Sequence, residues 1–146
     1  MATFSRTVSV DWAGPIMEGK GTVKAGSGAF SLPVSFPRRI GDAEGVTSPE
    51  ELMAAAHAAC YAMALNATLG RKGGAAAKTD VTATVSADKG DAGIKITTSK
   101  LTVVAHGLTG ITKEDFPAVA AEAEGKCHVS NAYRGSLTIE LDAKAV

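Results

Sequence analysis

The sequence predicts an α+β fold in which antiparallel sheets surround a central long helix and a second helix follows, in the order βββ-α-ββ-α-β. Three observations carry this prediction. Apolar residues alternate with polar ones near both ends of the chain, a strongly capped helix start stands at Ser48, and glycine-bearing turns separate paired extended stretches. At 146 residues the chain has the size of one domain, spanning 1–146, and can bury about two-thirds of the surface it exposes when unfolded.

Taken in order, Phe4, Val8, Val10 and Trp12 alternate with Thr7, Ser9 and Asp11, the period of a strand with one buried face. Gly14-Pro15 and Gly19 punctuate a loop. Thr22-Val23-Lys24 and Ala29-Phe30-Ser31-Leu32 then flank Gly26-Ser27-Gly28 as a hairpin. Phe36 to Thr47 reads as a loop, with Pro37, Gly41 and Gly45 and the basic pair Arg38-Arg39. At Ser48 the signals change. Ser48 suits an N-cap, Pro49 suits the first helical position where no backbone donor is needed, and Glu51 completes a Ser-x-x-Glu capping box.

This helix is expected to run to about Leu69, ended by Gly70 and Gly73-Gly74. Eight alanines between Ala54 and Ala67 give it a smooth surface that other helices can approach closely, so it is expected to be sandwiched between elements. Val81, Ala83 and Val85, a turn over Asp88 to Gly93, and Ile94 to His106 form a second hairpin. Thr112 to Glu124 reads as a helix, and Pro117 must fall in its first turn, placing the start near Glu114 or Asp115. Cys127 to Arg134 suits a short helical turn, and Leu137, Ile139 and Leu141 alternate in a last strand.

Fifteen basic residues balance fifteen acidic ones, so no global field draws the chain to nucleic acid or to anionic lipid. The opening Met1 to Arg6 lacks the apolar core of a signal peptide, and no later apolar run is read as approaching the roughly 18 residues of a membrane span. A soluble, cytoplasmic protein with neither nucleic acid nor membrane as partner is expected. In a reducing compartment two cysteines 67 positions apart are expected to meet transiently rather than as a permanent staple. Free cysteine is also a common buried apolar filler, which is the alternative for both Cys60 and Cys127.

Cys60 lies three turns into the long helix, with His57 three residues earlier on a neighbouring position of one face. An imidazole there could help a thiol lose its proton, though the same spacing also fits a packed histidine. Arg39 offers a permanent positive charge that favours a thiolate over a thiol, and Glu50 could hold it by presenting two oxygens to the guanidinium fork. By residue type alone both are also ordinary surface charges.

Thr47-Ser48-Pro49-Glu50-Glu51-Leu52, Ala54-Ala55-Ala56-His57-Ala58-Ala59-Cys60, the early Trp12, Phe36-x-x-Arg39 and Cys127-His128-Val129-Ser130 together span nearly the whole chain. In this order and spacing they resemble the OsmC/Ohr family of organic hydroperoxide reductases, its OsmC branch in particular. The resemblance implies an intertwined homodimer and reduction of organic hydroperoxides, with Cys60 as the peroxidatic residue, Cys127 as the resolver, and Arg39 and Glu50 in the family's arginine and glutamate positions. Arg38 is the adjacent alternative to Arg39. It implies a lipoylated protein as the dithiol reductant and neither cofactor nor metal. Two positions depart from the pattern: Ser48 stands where relatives often have Asn, and His128 where they often have Pro.

Helix geometry adds a constraint. Glu50 and Cys60 are ten residues apart, about 15 Å along a helix and some 80° from facing the same way. Two antiparallel copies of the helix near a twofold axis would bring Glu50 of one subunit toward Cys60 of the other, giving two equivalent sites. Met53, Met63, Leu52 and Leu65 are candidates for an apolar lining that suits an alkyl or aryl hydroperoxide. Two other readings stand beside this one: a redox-sensing switch in which Cys60 and Cys127 form a disulfide without sustained turnover, and a zinc site from His57, Cys60, Cys127 and His128, for which the usual short paired spacings are missing.

Overall fold

The structure, a computed structural model, describes residues 2–146; Met1, the first residue of the opening segment read above for a leader, lies outside them. The chain divides into two compact units, Met1–Leu52 and Met53–Val146.

The first unit is built on an antiparallel meander of β1 (Val8–Ala13), β2 (Lys20–Ala25) and β3 (Ser31–Val34), in that order. Val10 pairs with Val23, and Trp12 with Gly21, where an added Cβ would come within 3.1 Å of the indole ring. The expected buried face of β1 is not buried within this unit. Val8, Val10 and Trp12 are all exposed, and Phe4 precedes the strand at 83% exposure. Alternation identifies an apolar face but not what covers it.

Where a loop was expected, Phe36–Ile40 forms a short helix, α1. Pro37 sits in its first turn, where a missing N–H costs nothing, and five residues are too few to show helical periodicity. A parallel bridge between Val34 and Thr47, with the Thr47 N–H donating to the Pro33 carbonyl at 3.0 Å, ties the segment after α1 back to β3. The next helix, α2 (Pro49–Arg71), starts on the expected cap: Ser48 Oγ accepts the Glu51 N–H at 3.1 Å. The other half of the capping box is different, because the Glu51 carboxylate accepts from the buried Thr47 hydroxyl at 2.9 Å.

In the second unit α2 buries His57, Tyr61, Leu65, Thr68 and Leu69, spaced by three and four residues in one stripe. Within this unit Ala55, Ala56, Ala59 and Met63 stay exposed, so the unit covers the helix on one side. From Leu52 to Gly70 it carries no Asp, Glu, Lys or Arg, and by length and composition it is apolar enough to cross a membrane, contrary to the run-length expectation. Its buried stripe, with an imidazole and two hydroxyls, is that of a helix packed on protein. A Schellman motif ends it: the Gly74 N–H donates to Leu69 O at 2.9 Å and the Gly73 N–H to Gly70 O at 3.1 Å, with Gly73 at φ 75°.

β4 (Ala75–Gly90) and β5 (Gly93–Thr109) form a long antiparallel hairpin whose strands extend further than the alternation suggested. α3 (Phe116–Lys126) begins one residue beyond the expected start with Pro117 in its first turn, α4 covers His128–Tyr133, and β6 covers Thr138–Ala145. β6 runs parallel to β5, which makes this sheet mixed instead of antiparallel. The two helices between them form the crossover that a parallel neighbour requires. From Ser99 to Ala105 every second residue of β5 is buried, and Leu101, Val103 and Ala105 form a core with Tyr61, Leu65 and Leu69 of α2 and with Phe116, Val119, Ala120 and Ala123 of α3. The Tyr61 hydroxyl donates to Ala120 O at 2.9 Å, fixing α2 to α3.

Candidate functional site

Cys60 is half-buried on α2 and packs against the core; Cys127 is fully buried at the junction of α3 and α4. Both are free thiols. The Cys127 N–H caps α3 by donating to Glu124 O at 3.1 Å, and its Sγ accepts the Ser130 N–H at 3.5 Å as the N-cap of α4. The two thiols are neighbours. Burial pushes the Cys127 thiol up, the Ser130 N–H and hydroxyl oppose this by favouring the thiolate, and hydrogen bonding and charge from Cys60 push it up further. The crossover from β5 through α3 thus returns Cys127 to the middle of α2, 67 residues after Cys60.

A cavity of about 600 Å³ opens beside Cys60. Ala56, Ala59, Met63 and Ala64 give it small apolar walls, and Arg71, Lys126 and His128 add basic and titratable groups. Of the apolar candidates, only Met63 belongs to this lining; Leu65 lies wholly in the core. Cys127 is not part of the lining, so one thiol faces the cavity and the other lies behind it.

His57 is buried, and both its ring nitrogens are engaged. Nδ1 lies 2.6 Å from Ser99 Oγ and Nε2 lies 2.7 Å from Ser130 Oγ, while Tyr133 meets the ring edge-on with centroids 5.3 Å apart. Burial lowers the affinity of the imidazole for a proton, and the Glu124 carboxylate partly opposes this. Burial thus favours the neutral ring. Because neither nitrogen is free, His57 does not serve as a zinc ligand, and among the described residues no cluster of three or more His, Cys, Asp or Glu could hold a metal ion.

In the first unit, Arg39 in the last turn of α1 grips Glu50 in the first turn of α2. Nη2 lies 2.6 Å from Oε1, and Nε lies 3.1 and 3.2 Å from the two carboxylate oxygens. The Arg39 hydrogen bonds hold the Glu50 carboxyl below its ordinary range, against the opposing effect of burial. Arg38 is used elsewhere: its Nη2 lies 2.6 Å from Glu44, and Nη1 donates to Asp42 O at 3.2 Å. It is therefore Arg39 that Glu50 holds.

Sequence reasoning gave no role to Ser99 or to the Ser130 hydroxyl. Ser130 stands in the Cys127-His128-Val129-Ser130 segment, but Ser99 is 42 residues from His57 and lies in an ordinary threonine- and serine-bearing strand. A buried histidine that needs two partners was the one available signal.

Residues 41–142 match the family model described as OsmC-like protein. The chain belongs to the OsmC-like family. It is 38% identical over 145 residues to peroxiredoxin OsmC of Escherichia coli (strain K12), covering 98% of this chain and 99% of the relative. The organic hydroperoxide resistance protein OhrA of Bacillus subtilis (strain 168) is 32% identical over 127 residues, covering 84% and 86%. Among solved structures, an organic hydroperoxide resistance protein OsmC from Legionella pneumophila superposes with a TM-score of 0.77 at 26% identity over the whole of both chains. The α+β architecture of this OsmC-like chain is thus shared with solved family members.

Proposed function

We propose that this chain is a cytoplasmic thiol peroxidase that reduces organic hydroperoxides to alcohols in oxidative stress defence, working as one functional domain over 1–146. The observation that carries the reading is the pair of neighbouring free thiols, one facing an apolar cavity and one buried behind it. The names of the relatives, a peroxiredoxin and hydroperoxide resistance proteins, point the same way. In the first step the Cys60 thiolate attacks the distal peroxide oxygen, the O–O bond breaks, and the departing alkoxide takes a proton to leave as the alcohol. Cys60 is left as a sulfenic acid. Cys127 then attacks that sulfur, a disulfide forms and water leaves. An external dithiol, of the lipoyl class, reduces the disulfide by thiol exchange and resets the enzyme. Sulfur carries both electrons, so this route needs no cofactor.

Arg39 and Glu50 enter through a second copy of the chain. Ten helical residues separate Glu50 from Cys60, about 15 Å of rise, and a homodimer with antiparallel α2 helices supplies the Arg39–Glu50 pair of one subunit to the thiols of the other. The exposed alanine face of α2 and the exposed apolar face of β1 are consistent with such a partner.

The test is a single turnover with cumene hydroperoxide, followed by multiple turnovers with dihydrolipoamide. Cys60→Ser is expected to abolish even the first reduction, and Cys127→Ser to reduce one equivalent and stop as the sulfenic acid. Equal first-equivalent reactivity in both variants would contradict these roles. Slow oxidation without turnover under dithiol would favour the sensing switch.

A further inference from the structure

His57 is a buried titratable group that the two sulfur steps above leave unused. Although it shares α2 with Cys60, its nitrogens are turned to Ser99 and Ser130. Ser130 in turn meets Cys127 through its N–H, 3.5 Å from Sγ, and its hydroxyl favours the Cys127 thiolate. Ser130 thus touches both groups, Cys127 Sγ through its N–H and His57 Nε2 through Oγ at 2.7 Å, and Nδ1 anchors the ring on Ser99 Oγ.

A relay through the Ser130 hydroxyl would use two arrangements of its protons. With a neutral thiol, Cys127 S–H donates to Ser130 Oγ, and the Ser130 O–H donates to Nε2. With a thiolate, the Ser130 O–H donates to sulfur, and Nε2–H donates to Ser130 Oγ. Nδ1–H donates to Ser99 Oγ in both. Converting the first to the second transfers one proton from sulfur to imidazole.

We propose that His57, acting through the Ser130 hydroxyl, is the base that removes the proton of Cys127 in the resolving step, with Ser99 holding the ring in register. The proposal rests on the peroxidase reading and assigns positioning residues to its second half. As sulfur attacks, the Cys127 proton passes to Ser130 Oγ and the Ser130 proton to Nε2. The S–S bond forms, the S–O bond of the Cys60 sulfenic acid breaks, and the leaving hydroxide takes the imidazolium proton to depart as water. His57 ends neutral, as it began.

A buried thiol needs such help. An ordinary thiol with a pKa of about 8.5 is only about 3% ionised at pH 7, and burial pushes Cys127 higher still. Burial favours the neutral, proton-accepting ring, and the groups that face it are Ser99 from β5, Ser130 and Tyr133 from α4, and Glu124 from α3, whose carboxylate opposes the shift. Tyr133 does not compete for the nitrogens, because its hydroxyl donates to Met53 O at 3.0 Å.

The test measures the rate at which the Cys60 sulfenic acid becomes the disulfide after one equivalent of cumene hydroperoxide, by rapid quench and mass spectrometry across pH 6.5–9.5. The wild-type rate is expected to be nearly level from pH 7 to 8.5. In His57→Gln and in Ser130→Ala it is expected to fall about a hundredfold at pH 7, within the range of general-base catalysis, and to climb about tenfold per pH unit with the thiolate fraction. Ser130→Ala keeps the backbone N–H to Cys127 and so decides the matter where His57→Gln fails to fold. A merely structural role lowers the rate by one factor at every pH, and such parallel profiles would overturn the proposal. A wild-type protein that leaves the hydroperoxide unreduced would instead overturn the peroxidase reading, and this inference with it.

Discussion

Replacing Glu50 by Gln tests whether the carboxylate acts by holding Arg39. The wild-type pair has three N–H to oxygen contacts at 2.6, 3.1 and 3.2 Å, and the Glu50 side chain is only 13% exposed, so solvent does little to screen it. Glutamine keeps the length but loses the charge and one acceptor, and it turns an NH₂ donor toward the guanidinium donors. Losing a charge-assisted hydrogen bond of this kind costs about 1.5–3 kcal/mol. If the guanidinium acts on the reacting sulfur, the same energy lowers kcat/KM by roughly ten- to a hundredfold. The assay is cumene hydroperoxide reduction with dihydrolipoamide, alongside urea unfolding from pH 3 to 7. The folded carboxyl lies below its unfolded value of about 4.3, so its stabilisation is full above that pH and is lost as the pH falls through the folded value. Stability of wild type and Glu50→Gln should therefore converge in acid. Activity within twofold of wild type, in a variant whose Arg39→Met counterpart is inactive, would refute the holding role.

If two subunits share their sites as proposed, co-refolding Cys60→Ser with Glu50→Gln chains should restore activity to about a quarter of the wild-type level, because half the dimers would be mixed, each with one intact site; no recovery would mean that each chain completes its own site. Leu65→Ala, at a fully buried position, should cost about 2–5 kcal/mol in urea unfolding. Ser48→Ala removes the cap on the Glu51 N–H and should cost about 1 kcal/mol in the same measurement. Because the folded His57 resists protonation while the unfolded one accepts a proton near pH 6.5, wild type should lose stability as the pH drops below that value. His57→Gln should lack this component of the slope.

The features legible in the sequence were those written in neighbouring residues. Ser48-Pro49 and Glu51 announced α2, Pro117 positioned the first turn of α3, and the glycines after Leu69 marked the helix end. Whatever depended on distant parts of the chain was not legible. The parallel course of β6 follows from a crossover, and the serines on His57 come from positions 99 and 130, brought together only when the second sheet and α4 pack on α2. The α1 helix was hidden for another reason, since a five-residue element containing proline carries too little pattern. Its formation nevertheless explains why Arg39 and not Arg38 reaches Glu50: the two side chains leave the helix about 100° apart.

Cys127 is both a proposed reactant and the residue whose sulfur receives the Ser130 amide in the first turn of α4. An anionic sulfur is a stronger acceptor than a neutral one, so the start of α4 is held most firmly by the thiolate and least firmly once that sulfur is bonded to another. Local opening of Ser130 to Tyr133 is thereby coupled to oxidation state, and amide hydrogen exchange at Ser130 should quicken in the disulfide form. A short helix would then report to the outside what has happened to a buried atom.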